Sequence, residues 1–574
     1  AGPRRAAGPA ARGGGGAARG SGGRRAHPPA RVRRGCVPRP RCGRRVPAPA
    51  AGAAAPGARA AAAAGLRAER GAARLRDQHR ADWTPYDIPA LRMPTFARVA
   101  EQGTRFTQAI CPSPLCFPSR TAVARGMSYG AAGSAFDNTN TISAEAVTFY
   151  KLLQDAGIWT MTSGKDDLDV MSPDGSWHAD RLGFSRYMRS KGKNEASRYH
   201  PLTDNYTAFL SSTGRWPYYR AMMEEGCTWD QFGCPAPLAL PQEDYIDDYT
   251  GSWAVKLLRE APADRPFFLQ VNYPGPHPPF IITEGMLNAS LEGSRSWPLA
   301  IASRSLDAKV QQLIRSHYAA EIENIDRLNG LILAELEARG ALSKTVVCLL
   351  SDHGEALGDH WDTAQFFTPL NKESPYQHSV RVPLVCMGPG IEAGRVVEEP
   401  TGTVDLAPTV LDLQGVEVPA HMDARSLKPV LLGGEPESRP VTSSLTTGDR
   451  FFSTVLRRLG GRTYKLMCCR GVCPEGARPQ PGVDVPAGNV MVKKLFDLSR
   501  DPGELSDVSS EHPDLVAQMA EMLPDVFRGC RALDDEARAA YAARIGAEHD
   551  RTMEEVADFF KARGKSMPRS TPAQ

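Results

Sequence analysis

No Asp or Glu occurs in the first 68 residues, which carry fifteen Arg instead. Over all 574 residues the net charge is only +4, so the remainder of the chain is acidic by eleven charges. The arm (AGPRRAAGPAARGGGGAARG onward) has almost no branched aliphatics, and it cannot bury enough apolar surface to offset chain entropy. Residues 1–74 are therefore expected to be disordered. A basic nucleic-acid arm, a transit peptide and a mis-predicted start are the other readings of such a composition; no nucleic-acid partner is expected for the acidic remainder. No apolar run reaches about 18 residues, so no membrane span is expected, and no signal-peptide core is visible. Twelve cysteines in a chain of this length exclude a disulfide-dense scaffold. The local pairs Cys227/Cys234 and Cys468 or Cys469/Cys473 are spaced to close small loops in an oxidising compartment. CCRGVC lacks a second Cys/His pair at zinc-finger spacing. Sequons at Asn205 and Asn288 permit secretion.

From about residue 92 the pattern is that of an α/β protein. PTFARVAEQGTRF and AVTFYKLLQDAGIWTMTSGK each read as a short helix, a glycine and a strand. PFFLQVNYPGPH is a buried strand ending in a turn. In QQLIRSHYAAEIENIDRLNGLILAELEARG, the residues Ile314, Tyr318, Ile322, Ile325, Leu328, Ile332 and Leu336 share one helical face, and Gly340 supplies the stop. KTVVCLLSDHGE comes next as a continuous apolar strand, suited to a sheet covered on both faces. Helices alternating with such strands imply a large, mainly parallel central sheet flanked by helices. After about residue 435, STVLRRLGGRTYKLMCC and KKLFDLSRDP read as short strands, with a helix near 512–528. The expected organisation is a catalytic domain over 75–434, a smaller C-terminal α+β subdomain over 435–530 and a helical tail over 531–574.

In open α/β sheets ligands gather beyond the carboxyl ends of strands. LLSDHGE puts Asp352, His353 and Glu355 at one such end, VNYPGPH puts His277 at another, and WTMTSGKDD puts Lys165, Asp166 and Asp167 at a third. A fourth strand leads into AICPSPLCFPSR, with Cys116 and Arg120. Each alone is an ordinary loop or surface charge. Together they describe a site for a tetrahedral oxyanion, with carboxylates for a divalent cation and Lys165, Lys372, Arg120 and His277 to neutralise the anion.

CFPSR matches the Cys-x-Pro-Ser-Arg signature of the sulfatases, and the chain resembles that family within the alkaline phosphatase superfamily. Further similarity runs through RMPTFARVAEQGTRFTQAICPSPLC, PFFLQVNYPGPHPPF, LLSDHGEALGDH, NKESPYQHSVRVPLVCMGPGI and LFDLSRDPGELSDV, across most of residues 77–510. GKDD with SDHGE is most similar to the arylsulfatase K and choline-sulfatase-like branches. The resemblance implies an alkaline-phosphatase-like sandwich and sulfate monoester hydrolysis, with carbohydrate sulfates as the substrate class. It implies that Cys116 is oxidised to formylglycine by the formylglycine-generating enzyme, and that the hydrated aldehyde is the nucleophile. Arg120 would stabilise it, Lys165 and Lys372 would clamp sulfate, and His277 would protonate the leaving alcohol. Asp167 stands where the family places a histidine that helps expel sulfate. Asp77, Gln78, Asp352, His353 and residue 116 would hold one cation, calcium foremost, with magnesium or manganese as alternatives. A secretory, lysosomal or extracellular location is implied too.

Two competing functions remain at this level. One is phosphoester or phosphonate-ester hydrolysis in the same superfamily; the other is an inactive sulfatase-like binding protein. The second is motivated by GLRAERGAARLR, which precedes Asp77 where the resemblance requires a strongly apolar first strand. The segment has no strand pattern, and an Arg-rich central strand would bury charge. The first strand is therefore expected to be missing, and Asp77 and Gln78 to be poorly anchored.

Overall fold

Phe267–Tyr273 and Thr345–Ser351 are apolar and buried at every position, and the sheet is built outward from them. The computed structural model describes residues 70–132, 142, 146–168, 179–198, 204–226, 237–292, 295–303, 307–360, 372–447, 450–470 and 491–524. The arm over 1–69, the tail over 531–574, and the Cys227, Cys234 and Cys473 positions lie outside the described residues.

In chain order the strands of the large sheet are β1 (Arg70–Arg76), β2 (Gly103–Ile110), β3 (Trp159–Gly164), β4 (Arg186–Arg189), β5 (Phe267–Tyr273), β6 (Thr345–Ser351), β7 (Arg381–Met387), β8 (Arg395–Val397) and β9 (Thr401–Gly402). Their spatial order is β4-β3-β5-β1-β6-β7-β2-β8, with β9 also on β2. All pairs are parallel except those of β7, which runs antiparallel to both β6 and β2. Cys348 and Cys386 face each other across the β6–β7 pair and form a disulfide. A second, antiparallel sheet comes after it in the chain: β10 (Val441–Thr447), β11 (Arg450–Leu459), β12 (Arg462–Arg470) and β13 (Met491–Asp497), in sequential order.

The helices that bear on the site are α1 (Pro94–Glu101), α2 (Cys116–Arg125), α3 (Phe149–Asp155), α4 (Lys193–Arg198), α5 (Ile246–Glu260), α6 (Ala308–Ala338) and α7 (Leu406–Gln414). Alternation along the central strands separates the two faces. Leu269, Val271, Val347 and Leu349 pack with α1, α5 and α6. Val346 and Leu350 point the other way, toward Leu406 and Leu413 of α7 and Leu445, Phe452 and Met467 of the second sheet. The seven residues predicted to share one face of α6 are all buried. Asp307 caps that helix by accepting from the Lys309 and Val310 amides, and Gly340 lies just beyond it at φ 61°. Among the described residues no helix is long and apolar enough to cross a membrane.

One expectation is overturned. Residues 70–74 are neither disordered nor outside the fold: RGAARLR is β1, the strand between β5 and β6. Its register runs Gly71 to Phe268 and Val346, and Arg76 to Tyr273 and Ser351. The physical reason lies in the neighbours. β5 and β6 are buried throughout, and without a strand between them their inner edges would leave rows of backbone donors and acceptors unpaired and dry. That demand is met by backbone alone, so it leaves no hydrophobic pattern in the inserted strand.

Candidate active site

Because β3, β5, β1 and β6 are adjacent and parallel, their carboxyl ends line one edge of the sheet. They deliver Lys165, His277, Asp77 and the Asp352–His353 pair respectively. β7 is antiparallel, so the segment entering it brings Lys372 to the same edge. Cys116 arrives differently, as the first residue of α2. Leu115 ahead of it is extended (φ −149°, ψ 139°), and Gly126 ends the helix at φ 62°. The positive end of the helix dipole thus lies at the edge where the carboxylates collect.

Asp77, Cys116, Asp352 and His353 form one buried group whose ligating atoms all lie within 4.8 Å of one another. Cys116 Sγ is 3.1 Å from His353 Nε2, 2.8 Å from Lys372 Nζ and 4.0 Å from Lys165 Nζ. Arg120 Nε donates to Asp352 Oδ2 at 2.9 Å, and its Nη2 lies 3.8 Å from Asp77 Oδ2. Lys165 Nζ donates to Asp77 Oδ2 at 2.6 Å and pairs with Asp167 at 3.0 Å. Asp166, the neighbouring acid, is instead 3.8 Å from Arg189 Nε and accepts from the Leu168 amide. Gln78 donates its amide N–H to Asp352 Oδ1 at 3.0 Å and its side chain to Glu355, while its buried Oε1 has no hydrogen-bond partner. Far from being poorly anchored, Asp77 donates its N–H to the Gly275 carbonyl at 3.2 Å, and the His79 amide bonds Ser351 Oγ at 2.8 Å.

The electrostatics arise from burial opposed by close charge. Burial, with Asp77 and Asp352 adding to it, pushes the Cys116 thiol up to about 12 against the pull of Lys165 and Lys372. It therefore stays protonated at neutral pH and is a poor nucleophile. Burial alone would raise Asp77, but Lys165, His277, Arg120 and Lys372 together hold it well below the usual carboxylate range. Burial lowers His353 to about 4. Its Nδ1 lies 3.0 Å from the Gly354 carbonyl, so the neutral ring donates there and turns its Nε2 lone pair toward the group, where it meets the Cys116 sulfur. Two carboxylates, an imidazole nitrogen and an orphaned amide oxygen are a donor set that fits a divalent cation.

A second buried cluster carries the turn that holds His277. The Gly275 amide donates to Asp247 Oδ1 of α5 at 2.9 Å. Lys193 Nζ of α4 donates to the His277 carbonyl at 2.9 Å and pairs with Glu321 of α6 at 2.5 Å, both side chains being fully buried. Burial pushes Glu321 up to about 8, with Lys193 pulling against it, and Asp247 up to about 6. None of these three was singled out from the sequence. The available signal was Glu321 itself, an acid set between Tyr318 and Ile322 on the apolar face of α6. Replacing Lys193 with methionine is expected to cost about 1–3 kcal/mol, because it leaves the buried Glu321 carboxyl and the His277 carbonyl without their donor. Thermal melts check this. The sign with pH is fixed: the folded protein holds a proton on Glu321 that the unfolded chain gives up near 4.5. Wild-type stability therefore rises as pH falls from 8 toward 4.5, while the variant's deficit stays level across that window and widens above it, where only the wild type lets Glu321 ionise.

A family model described as Sulfatase matches residues 75–416 of this chain. Arylsulfatase K of Mus musculus is 24% identical over 479 residues, covering 76% of this chain and 75% of the relative. N-acetylglucosamine-6-sulfatase of Bos taurus is 25% identical over 367 residues, 59% of this chain and 60% of the relative. Among solved structures, a phosphonate monoester hydrolase from Silicibacter pomeroyi superposes with a TM-score of 0.59 at 20% identity, over 79% of this chain and 94% of its own. A protein solved with its substrate D-glucosamine-2-N,6-O-disulfate gives a TM-score of 0.59 at 18% identity, over 80% and 98%. These two likenesses concern the fold.

Proposed function

Since this chain belongs to the sulfatase family and is a sulfuric ester hydrolase, we propose that it cleaves carbohydrate sulfate monoesters using a formylglycine made from Cys116 and one divalent cation. The observation that carries the reading is the setting of Cys116: a thiol held protonated, enclosed by two carboxylates, an imidazole and two ammonium groups. That setting does little for a thiol and much for an oxygen nucleophile beside an anion. Asp77, Gln78, Asp352 and His353 are the proposed cation ligands. The ion would supply charge neutralisation and an acidified oxygen donor at residue 116. Formylglycine would supply that oxygen in its hydrated form, and the aldehyde would be recovered when sulfate leaves.

The chain's own groups take the remaining roles. Lys165 and Lys372 grip two sulfate oxygens and stabilise the charge that grows on them as the ester bond lengthens. Arg120, braced on Asp352, faces residue 116. His277, fixed through Nδ1 at 2.6 Å from the Pro278 carbonyl, protonates the departing alcohol. Asp167 is the carboxylate placed to take the proton released as sulfate is expelled. Calcium is the proposed ion on the strength of the hard oxygen donors, and the His353 nitrogen makes manganese its rival. The Cys348–Cys386 disulfide and the exposed sequon residues Asn205 and Asn288 support maturation in the secretory pathway. The proposed maturation partner there is the formylglycine-generating enzyme.

Two measurements test this. Matched aryl sulfate and aryl phosphate esters are expected to show faster sulfate turnover; faster phosphate turnover overturns the reading. After stripping by chelation, reloading from an equal mixture of calcium and manganese, and dialysis, metal analysis is expected to recover about one calcium per chain in the wild type, and Asp352→Asn to lose it and melt lower. Retention of manganese alone overturns the choice of ion.

A further inference from the structure

Lys165 is enclosed by more negative charge than a sulfate-gripping lysine requires. Asp77 sits on one side of its ammonium at 2.6 Å and Asp167 on another at 3.0 Å. Glu195 is a third acid acting on it. If Asp77 serves the cation, Asp167 and Glu195 remain as the ammonium's own counterions.

The backbone is shaped to put them there. Asp167 occupies the left-handed region at φ 52°, which aspartate tolerates better than most residues with a side chain. A Cβ at Gly164 would strike the Asn272 carbonyl, so the turn leaving β3 is tied closely against β5. Glu195 projects from α4 over Gly192. A Cβ there would collide with the Glu195 carboxylate and lie 3.6 Å from Lys165 Cε, so the missing side chain is what lets the acid and the lysine share that space. Asp167 is largely buried and Glu195 half-buried, so solvent screens them only in part.

An anion arriving at Lys165 must therefore share the ammonium with two fixed carboxylates. Their repulsion scales with the charge of the arriving anion, so a dianion pays twice what a monoanion does. A sulfate monoester carries one negative charge. Inorganic sulfate, the product, carries two, as does a phosphate monoester above its second pKa near 6. We propose that Asp167 and Glu195 are specificity-determining residues that make the site read anion charge, admitting singly charged esters while rejecting phosphate monoester dianions and driving out the sulfate product. The inference rests on the reading of Lys165 as a sulfate-binding group, and it gives the aspartate at 167 a purpose beyond proton transfer.

The test is equilibrium binding, so it does not depend on turnover. Calorimetry at fixed pH 8 and ionic strength would compare inorganic sulfate with methanesulfonate, an unreactive monoanion, on the metal-loaded wild type, Glu195→Gln and Asp167→Asn. Removing one carboxylate is expected to tighten sulfate by about tenfold and methanesulfonate by only about threefold, the gap closing as salt is raised. Glu195→Asp, which keeps the charge, should stay near wild type. Glu195→Gln leaves the proposed proton acceptor untouched, so it separates charge reading from catalysis and stands in if Asp167→Asn fails to fold. Equal tightening of both anions, or none, overturns the proposal. A wild type that discriminates by charge but hydrolyses no sulfate ester leaves this inference standing and defeats the functional reading instead.

Discussion

Cys116→Ala, in protein made by a host that forms formylglycine, is expected to lose aryl sulfate turnover by a factor on the order of 10⁴ or more while melting close to wild type. Loss of a covalent nucleophile removes the reaction path rather than one stabilising contact. The fold has little stake in the side chain, which is small and contacts polar groups. Cys116→Ser sharpens the result. A hydroxyl fits the space but cannot become the same aldehyde through the cysteine-specific route, so its activity should fall as far. Mass spectrometry of the wild-type peptide spanning residue 116 should show the aldehyde or its hydrate. An intact thiol in fully active protein, or a serine variant with full turnover, removes formylglycine from the mechanism. An intact thiol in inert protein supports the binding-protein alternative.

The second large effect concerns His277. For a sugar sulfate, whose alcohol is a poor leaving group, His277→Ala is expected to lower kcat/KM by about 10²–10³-fold, the usual reach of a general acid. A nitrophenyl sulfate, whose phenolate leaves unaided, should lose much less. The pH dependence has a definite sign. Burial, then the charges of Lys372 and Lys165, hold the ring well below 6.5, with Asp77 only partly opposing them. An acid must carry its proton, so kcat/KM for the sugar sulfate should decline as pH rises, with the midpoint of the falling limb below 6.5. His277→Ala should erase that limb. Equal losses on both substrates would show that the ring positions the substrate and donates no proton.

Much of this site can be read along the chain, because strands buried on both faces announce themselves as apolar runs, and the polar residues at the end of each run then stand out. β5 and β6 are of this kind, and Lys165, His277, Asp352 and His353 sit where such reading puts them. The adjacency of β3, β5, β1 and β6 is a property of the sheet and no local pattern records it. β1 is hidden for a different reason: its place is set by backbone pairing to two neighbours about 200 and 270 residues away in sequence, not by apolar periodicity. The direction of β7 and its disulfide to β6 are equally silent, since Cys348 and Cys386 are 38 residues apart and only short-range pairs stand out by eye. Lys193, Asp247 and Glu321 come from three helices that meet only in space.

The position of Cys116 ahead of nearly everything that encloses it also has a consequence in time. His353 and Lys372, which contact its sulfur, lie 237 and 256 residues downstream. At ribosomal rates of about 5–20 residues per second, roughly 10–50 s pass between the appearance of Cys116 and that of His353. Throughout that interval the thiol cannot be buried in its final pocket, because the walls have not been made. A modifying enzyme would meet CFPSR as an open peptide, and once β6 takes its place beside β1 that opportunity closes.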